Sequence, residues 1–191
     1  MINPTRIPVM LGVLAVGLSL LAAACVPAAV LPTPTTPPAN STMEITILDI
    51  GLRFEVPAGW QRLGDQTAWG PPSWSEQALR ERHIGVAWAE FGPPQEPEAV
   101  LFPQPAQVID SQPVELGWGS GREVRLEVLG TAPDSGEQAP IESYEIHTLI
   151  VSDRADRRLA ADFYATAETL EHLAGLEPFV KQMVNSSELT R

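Results

Sequence analysis

The chain has 191 residues with 24 acidic against 12 basic side chains, a formal net charge of −12. Phosphate backbones and anionic lipid headgroups both require clustered lysine or arginine, so this balance excludes nucleic acid as a partner. A single cysteine, Cys25, excludes an intrachain disulfide, and the fold must be held by burial alone.

The first 24 residues carry the three parts of an export signal in order: a short start with Arg6, an apolar run from Val9 to Leu21, and small residues before a break. Leu21-Ala22-Ala23-Ala24-Cys25 resembles the lipobox of bacterial lipoproteins, with Ala22 standing where that family favours leucine. The resemblance implies a diacylglyceryl thioether on Cys25, cleavage between Ala24 and Cys25, and a fatty-acylated (palmitate-type) membrane anchor. Two other readings stay open, an uncleaved apolar anchor and plain secretion by cleavage after Ala24. All three put the domain outside the cytoplasm. Loss of residues 1–24 would remove Arg6 and no acid, so the exported part would be more acidic still.

Residues 25–42 form a tether. Pro27, Pro32, Pro34, Pro37 and Pro38 stand among Thr, Ala and Ser, a composition that builds no core. Such segments favour extended polyproline conformations and would hold a domain up to roughly 50 Å from its anchor. Residues 43–191 then form one domain of ordinary size.

That domain opens with two strands, Glu44 to Ile50 and Leu52 to Val56, bent at Gly51. In the second, Leu52, Phe54 and Val56 alternate with Arg53 and Glu55. Pro57-Ala58-Gly59-Trp60 ends it and sets an indole at the sheet's end as a core lid. Trp69-Gly70-Pro71-Pro72 reads as loop, and Ser75 to Arg82 as a short helix capped by Ser73 or Ser75. Ile84 to Phe91 has apolar residues on both faces and is the central-strand candidate. A proline-rich loop, Gly92 to Pro105, precedes a hairpin of Val108 to Leu116 and Arg122 to Leu129 with a five-residue connection. In its second arm Val124, Leu126 and Val128 face in, while Glu123, Arg125 and Glu127 face out.

A turn at Asp134-Ser135-Gly136 leads to a long strand, Ile141 to Val151. A polar turn, Asp153 to Asp156, then leads to the last strand, Arg158 to Ala165, which puts Leu159, Ala161, Phe163 and Ala165 on one face. From Glu168 the apolar period becomes helical, with Thr166 as cap. Gly175 and Pro178 divide the segment into two helices.

Val56-Pro57-Ala58-Gly59-Trp60 after two strands, further antiparallel strands, and a final aromatic strand feeding a helix that closes on Met183-Val184-Asn185-Ser186-Ser187 together resemble the PsbP-like α/β/α sandwich. The expected class is therefore α+β, an antiparallel sheet of about six strands with a C-terminal helical layer. Another antiparallel α+β sandwich is the alternative. Members of the PsbP-like group mostly bind or assemble other components, and the resemblance implies no catalytic residues.

Chemistry is sparse. His83, His147 and His172 lie far apart without paired ligand spacing. Glu145-x-His147 places two donors on one strand face with Asp162 on a neighbouring strand, readable as a ligand pair or as a solvated strand histidine. Gly117-Trp118-Gly119-Ser120-Gly121 lacks the nucleophile elbow and is followed by a strand, so its glycines serve hairpin geometry. No cofactor and no metal site is expected. Five tryptophans remain: Trp60 and Trp88 are assigned to the core, while Trp69, Trp74 and Trp118 lie in Gly- or Pro-containing loops. Loop indoles either anchor a partner or fold back over sheet edges. The reading is of a lipoprotein on the bacterial cell membrane whose domain binds a cell-envelope protein. The alternatives are an envelope enzyme and a small-molecule or metal carrier.

Overall fold

A computed structural model describes residues 41–91, 96–131, 138–153 and 158–190. The expectations for the signal peptide, Cys25, the tether as far as Asn40, the turn at Asp134-Ser135-Gly136 and most of the turn after Asp153 lie outside these residues.

The first strands form where alternation places them, β1 at Thr42–Ile47 and β2 at Leu52–Pro57. Gly51 closes the turn between them at φ 68°, a left-handed conformation that costs glycine nothing. Leu52, Phe54 and Val56 are fully buried. On the opposite face, Arg53 pairs with Glu44 and Glu188. β3 (Gln61–Arg62) and β4 (Ala68–Gly70) come next, so part of the expected Trp69-Gly70-Pro71-Pro72 loop is a buried strand. Helix α1 (Glu76–Glu81) is capped by Ser75, whose hydroxyl accepts from the Ala78 N–H at 3.1 Å.

β5 (His83–Phe91) is central as expected, flanked by β4 and β9. The proline-rich segment after it contains a short helix that hydropathy did not signal, α2 (Pro97–Leu101), with proline in its first turn. β6 (Ala106–Leu116) and β7 (Gly119–Leu129) form the hairpin, but its connection is Gly117-Trp118 alone, because Gly119 to Gly121 pair with β6. β8 (Ile141–Asp153) and β9 (Arg158–Ala167) are longer than the sequence pattern suggested. Helix α3 (Leu170–Asn185) is capped by Thr169 rather than Thr166. It runs unbroken through Pro178, whose side faces solvent, while Leu173, Leu176, Val180, Met183 and Val184 stay buried on the other. Burial of that continuous stripe outweighs the proline's lost hydrogen bond. A last short strand, β10 (Glu188–Leu189), returns to β2.

The result is α+β, with a seven-stranded antiparallel sheet in the order β3-β4-β5-β9-β8-β7-β6 and a second sheet β1-β2-β10, instead of one sheet of about six strands. On one face of the large sheet, Ile84, Val86, Ile146, Ala161, Phe163 and Ala165 pack against α3 and the small sheet. The other face is covered in part by α2 and Phe102, over Phe91, Leu149 and Ala160. Among the described residues no helix is long and apolar enough to cross a membrane.

The β7 pattern holds but the faces have other neighbours. Val124 and Leu126 are buried on the α2 side, opposite His147 and Glu145. The charged face looks toward α3, where Arg125 pairs with Glu177 at 2.8 Å. Glu123, expected to face out, is buried and accepts from Gln112 at 2.7 Å. Close packing at Gly121 gives a test: a Cβ there would lie 1.8 Å from the Leu149 carbonyl oxygen. Gly121→Ala is expected to cost about 1–3 kcal/mol, read as a lower urea midpoint at unchanged slope.

Candidate functional site

Two clusters of chemistry-bearing side chains emerge, one sealed and one open. The sealed one lies on the α2 side of the large sheet. His147 on β8 stands directly opposite Tyr164 on β9, and Leu149 opposite Asp162, so one strand face collects Glu145, His147, Asp162 and Tyr164. His147 Nδ1 donates to Asp162 at 2.7 Å and Nε2 donates to Glu145 at 2.7 Å. A ring that donates from both nitrogens is an imidazolium. Burial on its own would lower the pKa of His147, but the charges of Asp162 and Glu145 and the hydrogen bonds to both raise it to about 9.

Tyr164 stacks on the imidazolium, with centroids 5.8 Å apart and planes 19° apart, and Phe102 closes over it at 4.9 Å. Tyr164 is itself pushed up to about 12 by burial and by the nearby carboxylates. Its ring lies across Gly85, where any Cβ would collide with it. On β5, His83 donates from Nδ1 to the Leu79 carbonyl at 2.9 Å, and burial lowers its pKa.

The solvated reading of His147 is therefore overturned. The ring is 3% exposed, because the proline-rich segment brings Phe102 down on it. The ligand reading has no geometry either. Both ring nitrogens are occupied by carboxylates, and among the described residues no group of three donors is placed to hold a metal. With neither nitrogen open to a substrate, this cluster is a buried ion pair rather than an acid–base site.

The open cluster is a groove of about 430 Å³ between the β2–β3 corner, the turn before α1, and one side of α3. Trp60, Pro71, Trp74, Arg82, Glu171, His172, Gly175, Leu176 and Phe179 line it. Helical spacing aligns Glu171, Gly175 and Phe179 in one stripe of α3. Trp60 reaches this stripe from the end of the small sheet and meets Phe179 with ring centroids 4.7 Å apart. Gln61 holds the opposite wall by donating to the Trp74 carbonyl at 2.8 Å.

The Arg82 guanidinium lies 4.4 Å from the centre of the Trp74 ring. It donates to His172 Nε2 at 3.2 Å, and His172 Nδ1 in turn donates to Glu168 at 2.8 Å. The groove is thus apolar and aromatic at its walls, with carboxylates at its rim and its one arginine already engaged.

Of the three loop tryptophans, only Trp74 belongs to this groove. Trp69 is 3% exposed on β4, edge-on to Phe54 in the main core, and offers no surface to a partner. Trp118 is half-buried at the hairpin turn, and its indole N–H is spent on Ser187, at 3.1 Å from the carbonyl and 3.0 Å from the hydroxyl. It ties the β6–β7 hairpin to the end of α3. Trp60, read as a core lid, does pack on the core but also forms a groove wall. Sequence reasoning missed Arg82, His172, Gly175 and Phe179 as groove residues. The one local signal was a glycine in the middle of a helical stripe.

Fold and groove together define a class, an antiparallel α/β/α sandwich with an aromatic surface groove beside its C-terminal helix. No protein-family model matches the chain, and no curated protein does. Among solved structures it is similar to the cyanobacterial PsbP (CyanoP) from Synechocystis sp. PCC 6803, at 13% sequence identity and a TM-score of 0.48, covering 84% of this chain and 99% of that one. It is also similar to the Ran-binding protein Mog1p of Saccharomyces cerevisiae, at 9% identity and a TM-score of 0.47, covering 78% and 95%. At such identities and TM-scores the likeness transfers no function and no functional residue.

Proposed function

We propose that this chain is a bacterial lipoprotein held to the cell membrane through lipidated Cys25, and that its α+β domain binds a protein partner outside the cytoplasm without catalysing a reaction. The groove walled by Trp60, Trp74 and Phe179 carries the binding part of this reading. Indole and phenyl rings presented together at a surface concavity are the side chains that supply most contact energy at protein interfaces. The sealed His147 cluster supports the non-catalytic part, since the one buried acid–base network described has no open nitrogen. The export signal, lipobox and proline-rich tether support the address.

In a bacterial host fed a clickable fatty acid, the wild-type chain is expected to take the label and Cys25→Ser to lose it; equal labelling removes the lipid anchor. A photocrosslinking side chain at position 171 is expected to give a discrete adduct in the cell envelope, weakened severalfold by Trp74→Ala. An adduct unchanged by that substitution counts against the groove.

A further inference from the structure

Glycine is the poorest residue for a helix interior after proline, and it persists where something must come close. Gly85 and Gly121 meet that condition inside the chain, beneath the Tyr164 ring and against the Leu149 carbonyl. Gly175 does not. It sits in the middle of α3 with no left-handed backbone to require it, and a Cβ built there meets no atom within 4 Å. The helix gives up stability at this position, and nothing within the described chain takes up the room. The room belongs to the groove, which Gly175 lines between Trp60, Trp74 and Phe179.

Charge at the mouth describes what would fill it. The Arg82 charge is spent on the Trp74 face, His172 and Glu168, which leaves the Glu171 carboxylate at the groove, in a chain of net charge −12. The field at the mouth is therefore negative and favours a cationic visitor.

We propose that the groove over Gly175 receives an aromatic or branched apolar side chain from a partner segment that carries lysine or arginine beside it. This deepens the groove reading above and rests on it. The apolar side chain fills the space over Gly175 between the indoles, and the flanking cations meet Glu171 at the groove's rim.

The test uses the full chain and three synthetic hexapeptides: phenylalanine-leucine flanked by lysine pairs, the same dipeptide flanked by glutamate pairs, and serine-serine flanked by lysine pairs. Indole fluorescence is expected to report the first peptide binding at least tenfold more tightly than either other, and more weakly as salt is raised. Gly175→Phe fills the groove with the chain's own ring and is expected to lower that affinity at least tenfold. Gly175→Ala, expected to melt at or above the wild-type temperature, shows that position 175 tolerates a side chain.

If the glutamate-flanked peptide binds as tightly as the lysine-flanked one and Gly175→Phe still blocks both, the groove stands and the cationic partner is overturned. If Gly175→Phe leaves affinity unchanged while circular dichroism shows it folded, or if no peptide saturates by millimolar concentration, the groove reading falls and the inference with it.

Discussion

Asp162→Ala is expected to cost the fold about 3–5 kcal/mol, because it strands a charged imidazolium inside the sheet. Asp162 is fully buried and His147 is 3% exposed, so solvent cannot replace the lost partner. Glu145 would remain on Nε2 but is the more exposed of the two carboxylates. His147→Leu, which removes the charge together with its need for a partner, is expected to cost less than Asp162→Ala. The reverse order in urea melts would show that the pair is not the source of the effect.

The same pair sets a pH dependence. His147 ordinarily titrates at 6.5 and in the folded chain at about 9, so the folded state holds the proton more tightly than the unfolded state. Its contribution is fully present below pH 6.5 and is lost as pH rises through about 9. A shift of that size corresponds to about 3 kcal/mol. Tyr164, raised from 10 to about 12, adds a loss in the same direction only above pH 10. His83, lowered by burial, acts in the opposite sense around pH 6.5, so urea midpoints measured between about pH 7.5 and 9.5 isolate His147. The wild type is expected to weaken over that window and His147→Leu to stay flat. Parallel profiles would dismiss the charged imidazolium.

Phe54→Ala is the second large effect, at about 3–5 kcal/mol and a fall in melting temperature of roughly 10–15 °C. Phe54 has no exposed surface and meets Trp69 and Phe163 edge-on, each with ring centroids 5.8 Å apart. It thereby joins the small sheet, β4 and the centre of the large sheet in a single contact. Truncation leaves a cavity that three separate elements would have to collapse into, and their backbones are held by ladder hydrogen bonds. Leu48→Ala serves as the control. Leu48 is 85% exposed, and its variant is expected to melt with the wild type. A small loss at Phe54 would mean that the two sheets repack independently.

Strand and helix identities were legible wherever one face of an element is buried. Leu52, Phe54 and Val56 announce β2 by their period of two, and Leu173, Leu176 and Val180 announce α3 by a helical one. Local periodicity failed where neighbours decide. Trp69 lies in a stretch of Gly and Pro that reads as loop, yet pairing with Ile84 makes it a core strand residue. Gly119 to Gly121 look like turn residues, yet β6 and β8 extend their ladder through them. Thr166 looks like a cap and is instead the β9 partner of His83.

Composition and periodicity were enough to establish the acidic balance, the absence of disulfide support, an antiparallel α+β domain and the fact that its tryptophans are the residues to follow. Where those tryptophans went was settled by packing. Trp60, Trp74, Arg82 and Gly175 come from four segments of the chain and converge only because α3 packs beside the β2–β3 corner. His147 finds Asp162 only through the β8–β9 register. Periodicity reports which side of an element is apolar; it carries no information about which other element will cover that side. A groove made at the seam of several elements is therefore silent in the sequence, apart from the glycine that α3 retains at its floor.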